Sequence, residues 1–360
     1  MKILIISNSS SGLFGFRKAL IEALSNIGHK VILLTRFSGK EKELKTMCDE
    51  LIELPMERRG KSFFKETSCY KRISSILDLK NPDMVITYTI KPNLYAGILC
   101  AKKKIPYCVN ITGLGTAFQN DGMTKKTIIL LYKKALKRVK TVFFENPENR
   151  DIFLNNGIIT KDKTHVLNGA GVNIKEYPFK PYPKNTETRF LFIGRVMKEK
   201  GIDEFLTVAK RIKQENENTF FDILGVMEDN YRDVIASYEA EGIVKYHGLQ
   251  EDVRPFIEKS HCFVLPSYHE GMANTLLECG AMGRPLITSN IHGCLEAVMD
   301  GETGYLCKVK DADDLYEKMK KFIGLPYEKK EEMGRLSHEY IAKVFDKRKV
   351  VEETISVIMK

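Results

Sequence analysis

Short apolar runs recur along the chain, each ending in a polar or glycine-bearing turn and followed by a longer stretch with helical spacing. In the first half they are Lys2–Ser7, Val31–Thr35, Asp83–Thr87, Tyr107–Ile111, Thr141–Phe144 and His165–Leu167. Runs this short and this continuously apolar suit strands of a parallel sheet covered on both faces. Strands and helices alternate, which predicts a Rossmann-like α/β domain. The first turn, SSSGLFGF, runs through Gly12 and Gly15 into a helix expected near Phe16. Its small residues allow a phosphate to approach the backbone, but it is not G-x-G-x-x-G, so no nicotinamide or flavin site is predicted. Residues 168–185 (NGAGVNIKEYPFKPYPKN), with three prolines and three aromatics, read as a linker.

After this stretch the pattern restarts with Arg189–Gly194, a helix from Gly201, Phe220–Leu224, a helix near Arg232 and Val244–His247. A short helix near Val253, the Cys262–Leu265 run and Pro285–Thr288 complete it. This predicts a second Rossmann-like unit with its ligand at the carboxyl ends of the strands. The expected division is residues 1–175, a linker over 176–188, a second domain over 189–345, and a last segment, 346–360. The final helix, Lys347–Met359, is long enough to return to the first domain.

Within the second unit, residues 262–285 (CFVLPSYHEGMANTLLECGAMGRP) carry the most chemistry. Pro266 stops a strand, Glu270 and Gly271 occupy the turn, and Asn274 is placed to cap a helix whose first amides belong to Thr275, Leu276 and Leu277. Such a helix start holds anions. Glu270 and Glu278 flank it with seven residues between them. Carboxylates repel phosphate but accept hydrogen bonds from vicinal hydroxyls, so a ligand with phosphate between two sugars satisfies both features, as a nucleotide sugar does. The alternative is a solvated loop acid and an exposed helix acid.

Composition narrows the class. At 360 residues with 43% hydrophobic content the chain suits two globular domains. Eight scattered cysteines without a Cys-x-x-Cys pair imply reduced thiols and neither disulfides nor a metal site. No segment stays apolar long enough to span a bilayer, so a cytoplasmic protein is expected. The net charge of +10 is unevenly placed: residues 1–180 hold 31 Lys and Arg against 16 Asp and Glu, and residues 181–360 hold 26 against 31. A basic first half suits an anionic membrane surface, a phosphorylated substrate or nucleic acid. Lys125–Lys140 reads as a basic amphipathic helix whose stripe, with Ile128, Leu131, Tyr132, Ala135 and Val139, packs on a sheet. The Arg58–Lys65 segment, mixing cations with two Phe, is the preferred membrane contact.

Directly after the strand at Phe190–Ile193 come Gly194 and Arg195, then Lys200 before Gly201. Two cations at a strand's end and a helix start are placed to neutralise a diphosphate. The set IGR…KG, His247-Gly248-Leu249 and E-G-x6-E resembles the family 4 retaining glycosyltransferases. The resemblance covers nearly the whole chain and implies the GT-B architecture, two facing Rossmann-like domains with a cleft between them, and a nucleotide-sugar donor. The strings 87–97 (TYTIKPNLYAG) and 110–118 (NITGLGTAF) resemble the subgroup that adds an N-acetylhexosamine to diphospho-undecaprenol-linked saccharides in capsule, O-antigen or glycan assembly.

The resemblance implies roles by position. Arg195 and Lys200 would hold the diphosphate, Glu278 the ribose hydroxyls, amides near Thr275 and Leu276 the distal phosphate, and Glu270 with Gly271 the donor sugar. His247–Leu249 would meet the base, and Gly12 would approach the diphosphate from the other domain. Many relatives carry a His after the fourth strand of the first domain; here the residues are Asn110, Ile111, Thr112 and Gly113, leaving Thr112 or a neighbouring amide for that contact. The resemblance implies catalysis by positioning and charge, with no cofactor and no metal, on an acceptor that is a lipid-diphosphate-linked saccharide at the inner face of the membrane. Alternatives are a UDP-sugar 2-epimerase of the same architecture, or a basic nucleic-acid- or membrane-binding protein without catalysis; no nucleic-acid motif is found.

Overall fold

The computed structural model of the chain describes residues 1–56, 63–114, 118, 122–184 and 186–360. It divides into two units, Met1–Ala170 with Arg348–Lys360, and Gly171–Lys347. In the first, β1 (Lys2–Ser7), α1 (Ser10–Asn26), β2 (Lys30–Thr35), α2 (Glu41–Lys45), β3 (Glu50–Glu53), α3 (Phe63–Lys80) and β4 (Met84–Tyr88) come first. They are followed by α4 (Ile90–Lys103), β5 (Tyr107–Ile111), α5 (Met123–Ala135), β6 (Thr141–Phe144), α6 (Pro147–Asn155) and β7 (Thr164–Val166). The seven strands form one parallel sheet in the order β3-β2-β1-β4-β5-β6-β7. Residues 3–6, 31–34 and 84–88 are buried, as expected of strands covered on both faces.

The second unit runs β8 (Thr188–Ile193), α7 (Ile202–Glu215), β9 (Thr219–Leu224), α8 (Arg232–Ala240), β10 (Lys245–Tyr246), α9 (Arg254–Lys259) and β11 (Cys262–Leu265). It continues with α10 (Asn274–Ala281), β12 (Leu286–Ser289), β13 (Gly304–Cys307), α11 (Ala312–Ile323) and α12 (Tyr327–Val344). Its six strands are parallel in the order β10-β9-β8-β11-β12-β13. Strand order reverses next to β8 and β11, so this is the sheet's topological switch point, where open α/β sheets bind ligands.

The last helix, α13 (Lys347–Met359), packs on the first unit. Its Val350 and Ile358 join the core of Ile3, Ile5 and Leu20; Glu353 meets His165 at 2.8 Å; and the Ile358 carbonyl accepts Lys140 Nζ at 2.8 Å.

The stretch expected to be a linker is instead a packed part of the second unit. Val172 bridges to Asp346, and its amide donates to the Phe345 carbonyl at 2.8 Å. Further along, the fully buried Arg284 guanidinium donates to the carbonyls of Lys180 (3.2 Å), Pro181 (3.1 Å), Ile257 (2.8 Å) and Glu258 (3.1 Å). Burial pulls its pKa down to about 10, which still leaves it charged at neutral pH. Prolines and aromatics gave the segment a linker's composition, but its carbonyls have a buried donor and Tyr182 is buried edge-on against His261. The helix expected near Phe16 starts six residues earlier, because Ser9 caps it.

At the switch point two backbones nearly touch. Gly201 adopts φ +72°, and a Cβ there would lie 2.0 Å from the Pro266 carbonyl oxygen. Gly201→Ala should therefore lose at least about 2 kcal/mol, from strain plus displacement of the β11 turn. Gly242 has a similar φ of +68° but open space around it, so Gly242→Ala should lose only about 1 kcal/mol. Urea unfolding of both variants separates strain from contact; equal losses would show that the Pro266 contact is immaterial.

Candidate active site

Five loops at the carboxyl ends of the second sheet are held together by backbone contacts. The loop after β8 carries Gly194, Arg195 and Lys200; the loop after β11 carries Glu270 and Gly271. The Tyr268 amide donates to the Glu199 carbonyl at 2.9 Å, fastening one to the other. The Gly194 amide donates to the Leu224 carbonyl at 2.9 Å, and the Gly225 amide to the Gly248 carbonyl at 2.8 Å. From the loop after β12, the Gly293 carbonyl accepts the Ala273 amide at 2.8 Å. Gly293, with φ +89°, has no room for a Cβ, which would fall 2.7 Å from the Gly271 oxygen.

This framework joins residues 70 positions apart. Lys200 Nζ forms an ion pair with Glu270 Oε1, and Ser267 Oγ donates to the same oxygen at 2.8 Å. Both side chains are largely buried, 20% and 11% exposed, so each charge needs the other. Arg195 stays apart from this pair. It is 41% exposed, with Glu228 Oε1 3.9 Å from its guanidinium, so it is available to an anionic ligand at little desolvation cost.

The helix behind Glu270 differs in detail from the expected one. Asn274 is the first residue of α10 and does not cap it; Ala273 holds the cap position, and no side-chain cap bond is made. Asn274 Nδ2 instead donates back to the Met272 carbonyl at 3.3 Å, while its Oδ1 is buried without a hydrogen-bond partner. The Leu276 amide is occupied by the Ala273 carbonyl at 3.0 Å, so the anion-binding character expected of it moves toward Asn274 and Thr275. Glu278 lies one turn further in, half-buried beside Tyr177. Burial raises its pKa to about 7 against the pull of Lys347, with Glu176 adding to the rise.

His247 does not present its imidazole. Nε2 lies 2.6 Å from Asp222 Oδ1, whose other oxygen accepts Arg189 Nη1 at 2.7 Å, and the ring stands edge-on to Phe256. What the site exposes here is Gly248 and Leu249, the latter 73% exposed. The loop after β12 went unnoticed in the sequence, although it backs Glu270. There His292 Nδ1 meets Glu296 Oε1 at 2.7 Å, and the Gly293 amide donates to Glu296 Oε2 at 2.7 Å. The small cluster around Gly293 was the available signal.

In the first unit, Gly12 is at the start of α1, but that start is self-satisfied. The Ser10 amide donates to the Arg36 carbonyl (3.0 Å), Ser11 to Ser38 Oγ (3.3 Å), Gly12 to Ser9 Oγ (3.1 Å) and Leu13 to the Ser9 carbonyl (3.1 Å). The loop expectation for Gly12 is thus corrected: it is a helical residue with its amide engaged. The unit's own switch point, beside β1 and β4, carries a different feature. Thr89 adopts φ +73° and ψ 157°, a region avoided by β-branched residues, and its Oγ1 is buried without a hydrogen-bond partner. Nearby, Asn93 Nδ2 donates to the Asn110 carbonyl at 2.8 Å and Asn110 Nδ2 to the Thr87 carbonyl at 3.2 Å. Asn110 is therefore structural, while Thr112 and Gly113 follow β5 in a half-buried turn. The Arg58–Lys65 segment lies outside the described residues except for the backbone of its last three positions.

Comparison with known proteins agrees with this geometry. Residues 2–146 match the family described as glycosyl transferase 4-like, and residues 173–339 match glycosyl transferases group 1. Over 339 residues the chain is 27% identical to N,N'-diacetylbacillosaminyl-diphospho-undecaprenol alpha-1,3-N-acetylgalactosaminyltransferase of Campylobacter jejuni subsp. jejuni serotype O:2, covering 89% of this chain and 88% of that one. It is 26% identical over 314 residues to UDP-Gal:alpha-D-GlcNAc-diphosphoundecaprenol alpha-1,3-galactosyltransferase of Escherichia coli, covering 81% and 79%. Among solved structures, the fold matches sucrose-phosphate synthase from Thermosynechococcus elongatus with a TM-score of 0.83 at 18% identity, over 99% of this chain and 98% of that one. It also matches HepE of Anabaena, solved with UDP and glucose, with a TM-score of 0.81 at 14% identity, over 100% and 99%. Two Rossmann-like units, each matched by its own family description, make this chain a glycosyltransferase of the family 4-like, group 1 kind.

Proposed function

We propose that this enzyme transfers a hexose, with N-acetylgalactosamine or N-acetylglucosamine the leading choices, from a UDP-sugar to a saccharide linked through a diphosphate to a polyprenol. The observation that carries the reading is the Lys200–Glu270 pair at the second unit's switch point, directly before a helix start that no side chain caps. The two relatives named above act, by their names, on diphospho-undecaprenol-linked acceptors, and each makes an alpha-1,3 linkage. UDP-galactose is itself an alpha glycoside, so an alpha product implies retention, and we assign retention here as well.

In this reading the donor's diphosphate lies between Arg195, Lys200 and the first amides of α10 near Asn274 and Thr275. Glu278 accepts the ribose hydroxyls, the backbone at Gly248 and Leu249 meets the base, and Glu270 with Gly271 contacts the transferred sugar. The Lys200 ammonium removes the electrostatic objection to an acid beside a diphosphate, because Glu270 enters the site already compensated. Catalysis is then positioning together with stabilisation of charge on the departing UDP, by groups already in place and without a metal. The leaving diphosphate takes the proton of the incoming hydroxyl on the same face. A covalent route through Glu270 is less favoured, since Oε1 already bears an ammonium and a hydroxyl donor, which lowers its nucleophilicity. The acceptor falls to the basic first unit, and peripheral association with the inner face of a membrane follows from a lipid-linked acceptor.

A panel of UDP- and GDP-sugars offered with a bacterial lipid extract, and the lipid weighed by mass spectrometry, tests the reading. The expected result is acceptor-dependent mass gain of one N-acetylhexosamine from a UDP donor, with the alpha anomer seen by NMR. Conversion of a UDP-sugar to its 2-epimer without acceptor would replace the proposal with epimerisation. Lys200→Ala should lower kcat by about 100-fold or more with the far-UV circular dichroism unchanged; near-normal turnover would remove Lys200 from the diphosphate.

Glu278 generates a pH prediction. In the unfolded chain its carboxyl titrates near 4.5, and in the folded protein near 7, so between those values the folded state binds more protons. Its contribution therefore turns against folding as pH rises from 4.5 to 7, and levels off above. Glu278→Gln should be more stable than the parent at pH 8 by on the order of 1 kcal/mol, and no more stable at pH 4.5. The same variant should raise the KM for the donor roughly tenfold, having lost one of two acceptors for the ribose hydroxyls. Thermal melts at the two pH values and donor titrations check both halves.

A further inference from the structure

The outer face of α5 is unlike an ordinary solvated helix face. Its inner side is fixed: Tyr132 and Ala135 are buried, the Tyr132 ring stands edge-on to Phe153 at 5.0 Å, and the Ala135 carbonyl accepts Tyr107 OH at 2.6 Å. With that side inward, 3.6 residues per turn put Met123, Leu130 and Lys134 along the middle of the exposed side. Met123 is 87% and Leu130 60% exposed. Lys126 and Lys133 flank them, and Lys137 and Arg138 continue the surface in the turn that follows, all of them exposed. From Gly122 to Phe144 the chain contains no Asp or Glu.

Sequence periodicity alone put the apolar residues of this helix against the sheet and its charges in water. The structure separates two apolar sets: one is buried, and a second, Met123 and Leu130, stands outward amid cations. A single exposed Leu is ordinary on a protein surface, but Leu130 and Met123 in line amid five cations with no acid make a narrower composition. For an interface with anionic lipid it is the expected composition, because the cations are drawn to the headgroups while the apolar side chains enter the acyl boundary.

We infer that α5 is the element by which this enzyme docks on an anionic bilayer, with Leu130 and Met123 inserted and Lys126, Lys133, Lys134, Lys137 and Arg138 on the phospholipid headgroups. Charge complementarity selects the occupant: five exposed cations with no acid among them match a phosphatidylglycerol or cardiolipin surface. The inference deepens the lipid-linked acceptor reading and rests on it for its purpose, since an enzyme working on a polyprenol diphosphate gains from being held at the membrane surface.

The test is co-sedimentation of the full chain with vesicles, no sugar or acceptor being present. Binding is expected to vesicles of equal parts phosphatidylcholine and phosphatidylglycerol, to weaken with added salt, and to be nearly absent on phosphatidylcholine alone. Each cation is worth about a fivefold change in partition, so Lys133→Glu with Lys134→Glu should lower binding by about 100-fold or more, and Leu130→Glu by about tenfold or more. Equal charge reversal at Lys42 and Lys45, exposed on α2, should lower it far less. Transfer to a soluble short-chain acceptor, measured on the same variants, should stay at the parent level. Unchanged vesicle binding in the α5 variants, equal loss in the α2 control, or equal binding to neutral vesicles would each overturn the assignment. Vesicle binding that depends on α5 in a protein that transfers no sugar would leave the docking face standing and discard the acceptor reading instead.

Discussion

The candidate site depends on a close approach of two backbones. Gly201, in the left-handed region, lets the loop after β8 lie against the Pro266 carbonyl at the end of β11. That approach, reinforced by the Tyr268 amide on the Glu199 carbonyl, sets Lys200 opposite Glu270. Neither charge is tolerable alone at its burial. A lysine 20% exposed and a glutamate 11% exposed would each lose hydration without return. The pair thus leaves the site with a net charge close to zero in the absence of substrate, so that in the proposed reading a diphosphate meets no repulsion from Glu270. Arg195, half-exposed on the same loop, is the cation that can move to the ligand without abandoning a buried partner.

The two units contain two helix starts beside their switch points, α1 after β1 and α10 after β11, and the sequence differentiates them chemically. At α1 every amide of the first turn has an acceptor within the unit, Ser9 taking those of Gly12 and Leu13 and the loop after β2 those of Ser10 and Ser11. At α10 the cap position is an alanine and the first residue turns its amide side chain backward. A helix start without a cap is less stable by about 1 kcal/mol, and the donors left over face the ligand side of the sheet. The serine-rich loop also allowed a phosphate in the sequence, because small hydroxyl residues beside glycine are what such cradles use. The same hydroxyls are also the best N-caps, and here capping prevails.

The fold was legible because its strands are buried on both faces and so appear as unbroken apolar runs. Tyr107–Ile111, Thr141–Phe144 and Cys262–Leu265 occupy the expected positions. The site was legible through order along the chain, strand then cation then acid, since the α/β topology carries consecutive loop residues to one edge. Three things were not. The proline-rich segment that looked like a linker is bound by Arg284, a contact 103 residues away that no local pattern reveals. The loop behind Glu270 consists of ordinary residues around Gly293, whose necessity lies in what it touches. The strain at Thr89 is carried by a residue type that normally avoids it, so composition points the other way.

Glu278 ties these threads to the energetics of binding. Half-buried next to Tyr177, from the segment that Arg284 clamps further along, it holds its proton to about pH 7. A carboxyl of this kind detracts from stability once ionised. Its presence makes sense if the ionised form is the one that meets ligand hydroxyls, with binding energy offsetting the cost of the buried charge. The packed segment also brings Tyr177 to Glu278, and the Tyr177 side-chain hydrogen bond draws the carboxyl's pKa back down against the effect of burial. The packed segment and the destabilised acid are thus two parts of one arrangement, in which stability is given up at a position that the proposed donor would contact.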